Sequence, residues 1–139
     1  MYQMIIIVGN LGRDPEMRYT PSGQAVTNFS LASSRNYLGK DGQRVQETTW
    51  FRVTVWGKQA ESCNNYLQKG RKVLVEGRLN PDENGSPRIW TRQDGTPAAS
   101  FEVTANTVRF LDSRGGGSDM ADAGGDVGGM MESEDEIPF

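Results

Sequence analysis

The sequence predicts an all-β fold: a five-stranded barrel with one short helix between its third and fourth strands, followed by a disordered acidic C-terminal tail. Three observations lead there. Runs rich in β-branched and aromatic residues recur through residues 1–112, and turn clusters of Gly, Pro, Asn and Asp separate them. Charge is also segregated. Residues 1–114 hold all 15 Lys and Arg against 11 Asp and Glu, net +4, whereas residues 115–139 hold 7 acids and no cation, net −7. The whole-chain balance of −3 therefore conceals a mildly basic body, suited to polyanions.

The first strand, residues 3–8, sets Met4, Ile6 and Val8 on one face and Ile5 and Ile7 on the other, so both faces are expected to be buried. A small barrel buries only one face of a strand. The second face is either a subunit interface or is covered by the chain's own helix or loops. Gly9-Asn10-Leu11-Gly12 reads as a turn, as does Thr20-Pro21-Ser22-Gly23, which leads into the second strand at residues 25–33. Gly39-Lys40-Asp41-Gly42 precedes the third strand, residues 48–56. Residues 58–69 lack Pro and Gly, space Ala60, Cys63, Asn64 and Leu67 as a helix does, and meet Gly70 as a stop. Strands follow at 72–80, 87–92 and 101–110, divided by Asn80-Pro81-Asp82-Glu83-Asn84-Gly85 and Gln93-Asp94-Gly95-Thr96-Pro97. Meander strands, a helix, then closing strands is the order of an oligonucleotide-binding barrel, the OB-fold.

Composition excludes several function classes. The longest apolar run, Met4 to Val8, is far too short to span a bilayer, and Met1-Tyr2-Gln3 supplies no positive start for a signal peptide. A cytoplasmic protein with no membrane association is expected, and the lone Cys63 agrees, since it can form no intrachain disulfide. With no His and one Cys, there is no His/Cys zinc set, no Ser-His-Asp triad and no Cys-His pair. The nearest carboxylate pairs, Asp82 with Glu83 and Asp14 with Glu16, lie in turn-like sequence and read as solvated loop charges. A non-enzymatic protein without metal or cofactor is the expectation.

From residue 113 the composition is dominated by Gly, Asp, Ser, Ala, Met and Glu, with too little apolar matter to offset ordering entropy. Residues 113–131 are expected to be a disordered Gly-rich linker and residues 132–139 an interaction tip. There Glu132, Glu134, Asp135 and Glu136 lead directly into Ile137, Pro138 and Phe139. A solubilising tail would explain the charge but not the apolar end. A linear ligand explains both: Phe139 fills an apolar pocket, its carboxylate meets Arg or Lys, and the acids engage a basic rim.

Read with a period of two, the third strand has chemically opposite faces: Phe51, Val53 and Val55 on one, Trp50, Arg52 and Trp56 on the other. Arg88, Trp90 and Arg92 repeat the interleaving, and Arg35 with Tyr37 makes a weaker third element. Single-stranded nucleic acid is matched by such stripes, because bases stack on the rings while Arg meets phosphate. Arg18, Lys58, Lys69, Arg71, Lys72 and Arg78 are candidates for a backbone path. The alternative places the three Trp in a core or subunit interface with the Arg solvated.

The run from Val8-Gly9-Asn10-Leu11-Gly12-Arg13-Asp14-Pro15 to Tyr19-Thr20-Pro21-Ser22-Gly23 closely resembles the bacterial single-stranded DNA-binding protein (SSB) family. So do Trp50-Phe51-Arg52-Val53, Trp56-Gly57-Lys58, Tyr66-Leu67-Gln68-Lys69-Gly70, Glu76-Gly77-Arg78-Leu79 and the acidic Ile-Pro-Phe end. The resemblance implies an OB-fold assembled as a homotetramer, wrapped by single-stranded DNA, with Tyr37, Trp50, Trp56 and Trp90 at the stacking positions. Tyr37 stands where the family commonly has Trp, Trp56 where it has Phe, and Phe51 where it often has His; the first two substitutions keep an aromatic ring. The tip would then recruit replication, recombination and repair proteins. Competing readings are an RNA-binding barrel of the cold-shock type, an assembly module of a replication complex, and, with least support, a metal-dependent nuclease.

Overall fold

A computed structural model describes residues 1–111; the linker and tip expected at residues 113–139 lie outside the described residues. The elements are β1 (Ile5–Leu11), β2 (Glu16–Tyr19), β3 (Ala25–Leu38), β4 (Arg44–Trp56), α1 (Lys58–Tyr66), β5 (Lys72–Leu79), β6 (Arg88–Thr91) and β7 (Pro97–Phe110). Two compact units emerge. Met1–Ser33 with Thr49–Leu111 forms the first, and the described part of the second is Ser34–Thr48.

Five strands of the first unit close on themselves. β1 pairs antiparallel with β5 from Ile5↔Gly77 to Asn10↔Lys72, β5 antiparallel with β7, and β7 parallel with β4 from Phe51↔Phe101 to Thr54↔Thr104. β4 neighbours β3, and β3 returns to β1 through Asn10↔Ala32 and Leu11↔Leu31. The result is the predicted five-stranded barrel with α1 between its third and fourth strands, which closure relieves of exposed edges. β2 extends the sheet beyond β3, and β6 forms a hairpin with β7.

Alternation in the sequence dictates what fills the barrel. Ile7 and Leu11 from β1, Phe29 and Leu31 from β3, Val53 and Val55 from β4, Val73 and Val75 from β5, and Val103 from β7 form one cluster. α1 closes it with Ala60 and Cys63, joined by Leu67 beyond the helix. The buried Thr27 hydroxyl donates to the Ala60 carbonyl at 2.6 Å, so a fully buried polar side chain also ties the helix to β3. Burial pushes the Cys63 thiol up to about 11, consistent with a small inert core side chain.

Several expectations need correction. Gly9-Asn10-Leu11-Gly12 is not a turn, because β1 runs through Leu11, whose side chain is buried opposite Leu31. Gly9 serves close approach instead: a Cβ there would collide with the Ala32 carbonyl. β2 is not among the expected strands: Glu-Met-Arg-Tyr is only four residues long, contains no β-branched residue, and pairs along one edge. β3, β4 and β7 are longer than the propensity runs that announce them. The helix ends at Tyr66 rather than Lys69. Leu67 is extended (φ −95°, ψ 151°) and turns its side chain into the core, a burial that outweighs another helical turn.

The two faces of β1 also differ from expectation. Ile7 is buried, but Met4 and Ile6 are 49% and 57% exposed, so neither helix nor loops of the described chain cover that side.

The second unit is built on the parts of β3 and β4 within Ser34–Thr48. Ser34 and Thr48 hydroxyls hydrogen-bond at 2.8 Å, Arg35 Nε donates to Glu47 Oε1 at 3.0 Å, and Gly39 N–H donates to the Gln43 carbonyl at 2.8 Å. The turn expected from residue 39 to residue 42 is thus present, with Gly42 at φ 78°.

Candidate nucleic-acid interface

Because β4 turns Phe51, Val53 and Val55 toward the core, its even-numbered residues face outward. Trp50, Trp56 and Trp90 are 53%, 42% and 45% exposed, so the core alternative for these residues does not hold within the described chain. A groove of about 660 Å³ runs over the outer surface. Trp50 and Arg52 from β4, Trp90 from β6 and Arg92 just beyond it line this groove together with Arg13, Asn28 and Ser30. Two Trp–Arg pairs separated by some forty residues of sequence thus converge on one concavity.

Local interactions set the positions of these groups. The Arg92 guanidinium carbon lies 5.8 Å from the centroid of the Trp90 ring, a cation–π separation. Thr54 Oγ1 donates to Asn28 Oδ1 at 2.8 Å, fixing the amide at the groove wall. Asp14, another lining residue, accepts the Lys69 backbone N–H at 2.8 Å and thereby anchors the segment that carries Arg13. Asp14 is exposed, as a solvated loop charge is, and also serves as a structural acceptor.

The remaining candidates are distributed differently. Trp56 shares the outer face of β4 but does not line the groove. Arg88 forms an ion pair with Glu102, Nε to Oε2 at 2.8 Å, and the Glu102 side chain is only 11% exposed, so Arg88 already has a partner. Arg18, Lys58, Lys69 and Arg78 are exposed, on β2, at the start of α1, beyond α1 and on β5 respectively; Arg71 and Lys72 are half-buried. None of these six lines the groove. Tyr37 and Arg35 belong to the second unit, where the Arg35 guanidinium carbon sits 5.1 Å from the Tyr37 centroid. The hydrogen bond to Glu47, reinforced by its charge, raises the Arg35 pKa above its ordinary value, so this cation stays charged at any working pH. The tip residues Asp135, Glu136, Ile137, Pro138 and Phe139 lie outside the described residues.

Sequence reasoning missed Arg13. It follows directly on the segment read as a turn, where no strand periodicity assigns it a face, and it lines the groove beside the anchored Asp14. Among the described residues no group of three His, Cys, Asp or Glu is placed to hold a metal ion, and no helix is long and apolar enough to cross a membrane.

A closed five-stranded barrel with its helix between the third and fourth strands, and a groove where exposed indoles alternate with guanidiniums, define an oligonucleotide-binding-fold protein. Residues 2–111 match the single-strand binding protein family, and the chain belongs to that family. It is 39% identical over 138 residues to a single-stranded DNA-binding protein of Wolinella succinogenes, covering 99% of this chain and 78% of that one. It is 40% identical over 119 residues to one from Helicobacter hepaticus, covering 86% of this chain but 66% of that one. Among solved structures, the small single-stranded DNA-binding protein from Streptomyces coelicolor superposes with a TM-score of 0.65 at 26% identity, covering 81% of this chain and 96% of that one.

Proposed function

We propose that this protein binds single-stranded DNA with little sequence preference, keeps separated strands from re-pairing during replication, recombination and repair, and recruits partner proteins through its acidic tip. The groove carries this reading. Exposed Trp50 and Trp90 offer π-faces that any base can stack on, and Arg13, Arg52 and Arg92 supply charge along the same path. Stacking of this kind is open to every base, so affinity with little sequence preference follows. Relatives bearing the name single-stranded DNA-binding protein support DNA over RNA as the ligand. The action is binding rather than catalysis, in the cytoplasm at the nucleoid, and requires no cofactor.

Trp56, Tyr37 and the cations Arg18, Arg35, Lys58, Lys69, Arg71, Lys72, Arg78 and Arg88 would serve a longer strand that continues past the groove. A homotetramer wrapped by DNA fits the exposed outer face of β1, where Met4 and Ile6 have no cover from the described chain.

Titration with poly(dT), followed by tryptophan fluorescence at low and high salt, tests the DNA half. Strong quenching that requires more DNA as salt rises is expected, because phosphate contacts release counterions. An emission indifferent to DNA would reject the reading.

The tip half rests on the acidic run ending in Ile137, Pro138 and Phe139. Removing residues 135–139 is expected to abolish co-purification of replication and repair enzymes and to tighten DNA binding at low salt, since an anionic competitor for the basic body is lost. Partner affinities unchanged by the truncation would disprove it.

A further inference from the structure

Gly12 follows directly on β1, and its N–H donates to the Ser30 carbonyl at 3.1 Å, continuing the ladder beyond Leu11↔Leu31. Its backbone does not need glycine. Positive φ angles occur at Gly23, Gly42, Gly57, Gly70, Gly85 and Gly95, but not at Gly12. The reason for its missing side chain lies outside the backbone. A Cβ at Gly12 would stand 2.5 Å from Cζ3 and 2.8 Å from Cη2 of Trp50, and 3.1 Å from the Ser30 hydroxyl. β3 lies between β1 and β4 in the sheet, so the indole reaches from β4 across β3 and rests its far edge on Gly12, just beyond β1. Two strand spacings amount to roughly 9–10 Å, which a large side chain crosses only where the residues beneath are small. Ser30, on the intervening β3, and Gly12 are both small residues, and the Ser30 Oγ is buried.

We propose that Gly12 is a positioning residue for base stacking: the space left by its absent Cβ seats the edge of the Trp50 indole and fixes the ring that faces the groove. This rests on the single-stranded DNA reading above. Any side chain at position 12 must push Cζ3 and Cη2 away, tilting the ring out of the orientation in which a base stacks. Gly12 touches no base in this scheme and acts through Trp50 alone.

The test is a double-mutant cycle between Gly12→Ala and Trp50→Phe, with affinity read by the anisotropy of a labelled dT oligonucleotide. A phenyl ring ends short of the Cζ3 and Cη2 positions, so it leaves room for the added methyl group. In the parent protein Gly12→Ala is expected to weaken binding about tenfold, the scale of one stacked base. In the Trp50→Phe background it is expected to have no effect. A companion measurement uses Trp56→Phe with Trp90→Phe, which leaves Trp50 as the sole tryptophan; there Gly12→Ala is expected to shift the tryptophan emission of the DNA-free protein and reduce quenching. If Gly12→Ala unfolds the parent but the Trp50→Phe pair folds and binds as Trp50→Phe does, the clash is confirmed. Equal losses in both backgrounds, unfolding in both, or unchanged affinity and emission would each overturn the inference. Failure of the parent itself to bind the oligonucleotide would instead refute the functional reading.

Discussion

Replacing Trp50 and Trp90 together by alanine is expected to weaken single-stranded DNA binding by a factor of roughly 30 to 10⁴. The range follows from about 1–3 kcal/mol for each stacked base lost on alanine substitution, taken twice. Both rings line one groove and both are about half exposed, so their removal takes little from the core and the unfolding midpoint should move only slightly. The cations are untouched. The slope of log affinity against log salt should therefore remain that of the parent, which separates a stacking loss from a lost phosphate contact. Trp56→Ala supplies the comparison within one strand: it shares the outer face of β4 but not the groove, so a smaller loss is expected, growing with oligonucleotide length. Affinity for dT oligonucleotides within about threefold of the parent in the double variant would remove stacking from the mechanism.

The division between what the sequence announces and what it hides follows from the range of each signal. Alternation at residues 50–56 is local, and it correctly assigns Val53 and Val55 to the core and the two Trp to the outer face. Helical spacing likewise places Ala60 and Cys63 inward. Terminations are another matter, because they depend on partners remote in sequence. Gly9 and Gly12 have the composition of a turn, yet the first exists to let β1 approach Ala32 and the second lies against Trp50. Gly77 behaves similarly: it sits where the β5–β7 register shifts, and a Cβ there would collide with the Thr104 carbonyl. Leu67 ends the helix through a core contact that periodicity within residues 58–69 cannot reveal. The cations show the same limit from the other side. Arg52 and Arg92 were identified by interleaving with Trp, whereas the pairing of Arg88 with Glu102 depends on the β6–β7 hairpin.

Ile6→Lys is expected to dissociate the proposed homotetramer into species as small as the 15.3 kDa chain while leaving each barrel folded. The prediction turns on the two-residue period of β1. Ile7 points into the core, so a charge there would unfold the barrel; Ile6, one residue away, is exposed and contributes nothing to it. In a symmetric interface the same side chain is buried once by each copy, so an Ile worth about 1.5–3 kcal/mol counts twice, and a lysine in its place must bury an unpaired charge. Sedimentation measures the outcome directly: a four-chain parent and a smaller variant with an unchanged circular dichroism spectrum are expected. Function should divide in the same way. A short oligonucleotide that occupies one groove should bind the variant as it binds the parent, because Trp50, Arg52, Trp90 and Arg92 are all on one chain. Poly(dT) should bind the variant far more weakly, since linked grooves act at high effective concentration and separated ones do not. A variant with the parent's mass would place the subunit contacts elsewhere and leave the exposed Met4 and Ile6 without a role in assembly.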